Sequence, residues 1–289
     1  MAGIDTLTKI DDVSPNGNVR GPVNTPLVSA GGTVRYTSSQ DVPIAAGPID
    51  IALIAGGGGN GGAESGGGGG GMVLQPGRPI SSGTYALVIG DGGSGANGGD
   101  STFDGLTAIG GGRSNDGHSS VPGDAPGGSG GGVGRGNVPS RSGASGIQPS
   151  APGDSGTNGH GNPGGSMGYQ GASGGGGAGG AGSPAGSQGG GPGGSGKDIA
   201  PIFGSTPQPF YGPTGSVYAG GGGGRYSAGG GPGGGGPGGS AGETNSGGGG
   251  SRANGGSGVA FIKTPAISRT GGIWSLNVVL NAVRDNNWV

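Results

Sequence analysis

Seven residues, Gly191-Pro192-Gly193-Gly194-Ser195-Gly196-Lys197, have the spacing of a phosphate-binding loop, in which backbone N–H groups and a lysine surround an anion. Asp198 stands where the hydroxyl that holds magnesium would have to be, and no apolar run precedes the loop. Gly171-Ala172-Ser173-Gly174-Gly175 has the pattern of a nucleophile elbow, again without a strand to present Ser173. His118 and His160, with Asp116 or Asp154, are metal-ligating types, but their spacing fits no short ligand motif and they read as exposed loop residues. In a chain with 90 glycines among 289 residues such patterns arise by chance. The expectation is a protein that is not an enzyme, with no cofactor and no metal site.

The aromatic residues are a stronger signal because the chain has so few, 4% of the total. Phe203, Phe210, Tyr211 and Tyr218 are concentrated in residues 197–219, and Tyr226 follows closely. Flat rings on proline-rich loops suit stacking on sugars or packing against another protein at low entropy cost. They suit equally well a small core that clamps the ends of glycine segments. Both readings stand on the residues alone, and the first makes these five the candidate receptor-binding residues.

Short apolar runs must position whatever the loops carry. Residues 50–55, 84–89, 106–109 and 259–263 have the length and β-branched content of strands, and each abuts glycine. The last is far along the chain from the others, so a shared sheet requires the sequence between them to be compact. Residues 1–48 are of ordinary complexity, with a strand expected at 33–37; their scattered prolines favour extended, edge-type structure. This segment reads as an arm for attachment to something else, with Thr33, Val34, Arg35 and Tyr36 as its candidate contact residues. Residues 49–265 form the glycine-rich domain, from which 113–170 and 197–219 are expected to project as loops. Residues 266–289 end the chain in a short helix at 275–284, capped by Ser275, whose packing face is Leu276, Val279, Leu280 and Val283 flanked by Trp274 and Trp288.

Glycine and proline together exceed the share at which a chain without strict period reads as disordered, so composition alone fits a disordered tract. The alternative is a backbone-stabilised architecture. An extended left-handed chain with three residues per turn points every N–H and C=O outward. If glycine occupies all of its rows, neighbouring chains approach closely enough to hydrogen-bond to one another without a side-chain core. Collagen fails on phase, because strings such as Gly220–Gly224 break the triplet. The fold class expected is mainly irregular and β: a small β-sheet joined to a polyglycine II helix bundle, with long loops and a short C-terminal α-helix.

The net charge is −2 and only 10% of the residues are charged. That removes the basic footprint of a nucleic-acid binder. There are no cysteines, so no disulfide or thiolate site is available. The first residues show no signal-peptide pattern, and no apolar run is long enough to span a membrane.

Taken in order, Ile51-Ala52-Leu53-Ile54-Ala55 followed by glycines, Gly83–Gly90, Asn97–Phe103, Leu106–Ile109 followed by glycines, and the closing Val259–Lys263 resemble the glycine-rich domain of bacteriophage tail proteins. Gly272–Asn277 and Asn287-Trp288 resemble a C-terminal segment often attached to such proteins. The resemblance covers about residues 50–289; the N-terminal segment is not matched. It implies a tail-fibre or tail-tip adhesin of packed polyglycine II helices, made in the host cytoplasm and located in the virion tail. Its partners would be other tail proteins and a bacterial surface receptor, a polysaccharide or an outer-membrane protein. Homotrimers are common among tail fibres, and a monomeric tip is the alternative. A virion connector or decoration protein without receptor contact is the second reading.

Overall fold

The computed structural model describes residues 32–61, 64–115, 126–136, 140–148, 158–225 and 228–265. Gly32–Pro265 form one compact unit. The helix expected at 275–284 lies outside the described residues, as do Trp274, Leu276, Val279, Leu280, Val283 and Trp288. In chain order the elements are β1 (Thr33–Tyr36), β2 (Gln40–Ile44), β3 (Gly47–Ile54), β4 (Met72–Ile80), β5 (Gly83–Val88), β6 (Ser101–Phe103), β7 (Leu106–Ala108), β8 (Ser140–Arg141), β9 (Gly159–His160), β10 (Met167–Gly168), β11 (Lys197–Asp198), α1 (Ala200–Phe203), β12 (Val217–Tyr218) and β13 (Val259–Lys263). The fold is mainly β and irregular, and α1 is the one α-helix among the described residues.

Two antiparallel sheets form a small sandwich. The larger has the order β1-β13-β3-β4-β9 and the smaller β2-β5-β6-β7. Strand β13 therefore inserts between β1 and β3, pairing Ile262 with Ile51 and Ala260 with Leu53. Ile49, Ile51, Leu53, Ala260 and Ile262 share a core with Val42, Leu87, Phe103 and Leu106 of the smaller sheet. The alternate residues of the same strands, Ala52, Ile54, Val259 and Phe261, point to the other face. A strand buried on both faces reads as a continuous apolar run, which is why residues 50–55 and 259–263 stand out in sequence. Pro43 sits on the edge strand β2, where its missing donor does no harm. Asp104-Gly105 makes the two-residue turn between β6 and β7 that this dipeptide favours. Both residues are left-handed, Asp104 with a φ of 46 and Gly105 with a φ of 75 degrees.

Residues 32–48, expected to be a separate arm, belong to this body. Strand β1 pairs along its length with β13, and β2 pairs with β5. The expected loop at 197–219 does not project: its rings cover the second face of the larger sheet. Most of the described residues of 113–170 are integrated too. Gly128, Gly130 and Gly132 donate to Gly110, Asn162 and Gly66.

Glycine segments continue the strands. Beyond the Ile54–Met72 pair of β3 and β4, Ala55 N–H donates to Gly71 and Gly58 N–H to Gly68, in the same register but at every third residue. Beyond the Val259–Ile54 pair, Gly57 donates to Gly256 and Asn60 to Ala253. The remaining residues of that segment, Gly56 and Gly59, donate to a third neighbour at Gly99 and Ala96. The next segment repeats the rule: Gly66 and Gly69 bond to Ser173 and Gly176, Gly67 and Gly70 to Gly250 and Gly247, Gly68 and Gly71 to Gly112 and Ile109. A two-residue alternation in the sheet thus becomes a three-residue rotation in the glycine array, with each donor aimed at a different neighbour. No side chain fits between such neighbours. A Cβ on Gly67 would fall inside 3.0 Å of the Gly58 carbonyl, on Gly222 of Gly250, and on Gly57 of Gly248.

Where a glycine neighbour is missing, a side chain takes its place. The fully buried Gln148 accepts from Ile109 N–H at 2.6 Å through Oε1 and donates through Nε2 to the Thr107 carbonyl at 3.0 Å. Ser101 Oγ accepts from Gly90 N–H and donates to Ile54, both at 2.9 Å. Buried backbone groups left unpaired would each cost about 1–3 kcal/mol. Gln148→Ala should lose about that much stability and accelerate amide exchange at Ile109, measured by urea denaturation and hydrogen exchange.

Position within the array sets the cost of a methyl group. Gly67→Ala and Gly222→Ala should each destabilise by about 1–3 kcal/mol or more, the cost of overpacking. At Gly186 and Gly229 an added Cβ meets nothing within 4 Å and φ is not left-handed. Alanine there should raise stability by about 0.4–1 kcal/mol through the unfolded chain. Equal unfolding midpoints for the two pairs would contradict the packing described.

Candidate functional site

The glycine segments run away from the sandwich and return to it, so their turns fall at two ends. Near the sheets lie Ala178–Gly180, Gly233 and Glu243–Gly247; Gly247 approaches Ile54 and Ala55. The opposite end is assembled by bonds between tips that are distant in sequence. Asn60 N–H donates to Ala253, Gly61 N–H to Ser114 Oγ at 2.9 Å, and Gly134 N–H to Asn115. Strand β8 pairs with β10, Met167 bridges to Ala185, and Ala172 N–H donates to Gly189. Ser251 N–H donates to Ser240, and Gly238 N–H to Ala228. An ion pair of 2.9 Å joins Arg225 to Glu64.

This far end carries the side chains that the glycine segments lack. Arg113, Arg135, Arg225 and Arg252 lie on its turns and Arg141 on β8, with Arg135 and Arg252 exposed. Tyr169 is 51% exposed on the turn after β10. Gln170, Gln188 and Arg252 hold left-handed backbone. These three keep side chains in a conformation that glycine adopts without strain, in a chain where glycine is the commonest residue. The surface is polar, cationic and anchored on hydrogen-bonded segments. It can bind, but among the described residues it has no base or nucleophile arranged for chemistry.

Four of the five residues expected to bind a receptor, Phe203, Phe210, Tyr211 and Tyr218, lie elsewhere. Tyr218 is fully buried and Phe203 nearly so. Phe203, Phe210, Tyr211 and Tyr218 ring Phe261 with centroid distances of 5.9, 6.3, 6.1 and 5.1 Å. Four rings around one phenylalanine supply the second core of a chain poor in apolar residues, so Phe203 and Tyr218 have no face left for a ligand. Tyr226 lies outside the described residues. Thr33, Val34, Arg35 and Tyr36 are brought together as β1, an edge of the larger sheet, with Arg35 Nη2 donating to the Asn245 carbonyl at 3.3 Å and Tyr36 packed on the sandwich core.

The chance motifs resolve into the array. Ser173 is buried; its hydroxyl accepts from Val133 N–H at 2.8 Å and donates to the Gly165 carbonyl at 2.5 Å. Gly191, Gly193, Gly194 and Gly196 donate to backbone carbonyls of other segments, so these N–H groups are not available to cradle a phosphate. His160 is not a loop residue: it pairs with Met72 at the end of the larger sheet, where burial and then Lys197 hold its pKa below the usual value. His118, Asp116 and Asp154 lie outside the described residues. The far-end arginines were missed because they are scattered in sequence. The available signal is that Arg113, Arg135, Arg225 and Arg252 interrupt glycine-rich tracts; Arg141 lies in β8 and carries no such signal.

The chain matches no protein-family model and no curated protein.

Tyr211 offers a pH test of the second core. Its hydroxyl donates to the Gly204 carbonyl at 2.6 Å. Burial first, then the Asp198 carboxylate, then Tyr218 push its pKa up from 10.0 to about 12. The folded state thus favours the neutral phenol, and stability from this group is complete below pH 10 and lost as pH rises through about 12. Tyr211→Phe should flatten the fall in denaturation midpoint across that window; an unchanged alkaline limb would remove Tyr211 from that role.

Proposed function

We propose that this chain is a bacteriophage tail-fibre or tail-tip protein that binds a molecule of the bacterial surface through the turns at the far end. In this reading the glycine segments are packed polyglycine II helices, the sandwich is the end nearer the virion, and the edge strand β1 lies where the chain would meet another tail protein. The order of strands and glycine runs resembles the tail glycine-rich domain. The observation that carries the reading is the separation of tasks: glycines whose space is filled by neighbouring backbone form the body, while exposed Arg135, Tyr169, Gln188 and Arg252 lie at one end. Changes on the turns alter the surface without disturbing the array. The contact role expected of Phe203 and Tyr218 does not carry over, since both are buried in the core around Phe261, against which Phe210 and Tyr211 are partly buried.

Adsorption tests this directly. Virions carrying Tyr169→Ala with Gln188→Ala should assemble normally and adsorb to host cells at least about tenfold more slowly, which corresponds to a loss of about 1.4 kcal/mol. Normal assembly with undiminished adsorption would favour a connector that never touches the host.

A further inference from the structure

The far end is electrically distinct from the rest of the protein. Five of the seven arginines among the described residues lie there, although the chain as a whole carries a net charge of −2 and a pI near 5.5. Glu64, paired with Arg225, is the one acidic side chain among the described residues at that end. Asp116 and Asp124 of segment 116–125 lie outside the described residues; counting both, arginines still outnumber acids. The opposite end and the sandwich hold Asp41, Asp50, Asp91, Asp100, Asp104, Asp198 and Glu243, of which Asp50 and Asp104 are paired with Lys263 and Arg78. The body is therefore polarised along the glycine segments, and a field of that kind orients and concentrates an anionic partner at one end.

The chemistry around the arginines narrows the partner. Guanidinium groups bind carboxylate and phosphate oxygens through paired N–H donors. Tyr169 gives one exposed ring that can stack on a sugar, and Gln170 and Gln188 add amides able to bond to hydroxyls. Of the exposed large apolar side chains among the described residues, Val34, Val88, Ile147 and Tyr169, only Tyr169 belongs to this end, so the described residues form no apolar patch there to insert into a lipid layer. The net charge of −2 with only 10% charged residues lacks the basic footprint of a duplex-DNA binder.

We propose that the far end binds an acidic polysaccharide, a sugar chain bearing carboxylate or phosphate groups, with Arg135 and Arg252 as principal contacts. The proposal rests on the reading of these turns as a recognition surface.

Binding of the full-length protein is measured on immobilised alginate, uncharged dextran, duplex DNA and phosphatidylglycerol vesicles. Alginate should bind best, with affinity falling steeply as salt is raised. Arg135→Gln with Arg252→Gln should weaken it at least about tenfold at unchanged melting temperature, since both side chains are exposed. Equal binding of dextran, tighter binding of DNA or vesicles, or indifference to the double variant would overturn the proposal. If virions with this double variant adsorb normally while Tyr169→Ala with Gln188→Ala virions do not, the acidic-glycan proposal fails and the host-binding reading stands. If alginate binding depends on both arginines while adsorption ignores every turn variant, the host-binding reading fails and the glycan site stands.

Discussion

Everything in this protein depends on backbone segments approaching so closely that only glycine fits between them. A hydrogen bond contributes about 1 kcal/mol net, and ordering glycine costs more than ordering any other residue. A single glycine segment would not hold its shape. The array succeeds because successive donors of one segment reach three different neighbours, as Gly66, Gly67 and Gly68 do toward Ser173, Gly250 and Gly112. Each segment is fixed from several sides at once, and the cooperative gain offsets the entropy lost. The constraint also explains the intolerance of interior positions to a methyl group and the use of Gln148 and Ser101 as stand-ins for missing backbone.

A backbone array has no register of its own, since one glycine resembles the next. The sandwich supplies it. Strands β3, β4 and β13 pair through distinct side chains, and their register passes without interruption into the glycine segments beyond Ile54, Met72 and Val259. The aromatic cluster around Phe261 secures the other face of the same sheet. Phe203 and Tyr218, which looked like contact groups, are buried in that cluster. Because the segments are anchored at the sheets, the remote turns are left to vary in chemistry, and the proposed binding end follows from that division.

Several parts of this organisation were legible in the chain. The strands at 50–55, 84–89, 106–109 and 259–263 were apparent because burial on one or both faces writes a run or an alternation into the sequence. Strand β4 was not, because Pro76, Gly77 and Pro79 break its pattern; it tolerates them beyond Val73, the last residue it pairs with β9. The buried state of Phe203 and Tyr218 was also hidden, since a proline-rich aromatic loop has the same composition whether it projects or folds back. The far-end arginines belong to different turns, spread along the chain from Arg113 to Arg252, and no local pattern unites them.

Residue types and their local order were enough to establish that glycine must serve as architecture if the chain is to fold, and that short strands bracket the glycine. Composition and periodicity record such facts because they concern one residue and its near neighbours. Four things emerged from the packed chain alone: which segment lies beside which, that 32–48 join the sandwich, that the aromatic loop packs on the sheet, and that five arginines lie at one end. These depend on the pairing of backbones, and a backbone of glycine leaves no mark in the sequence of the partner it will choose.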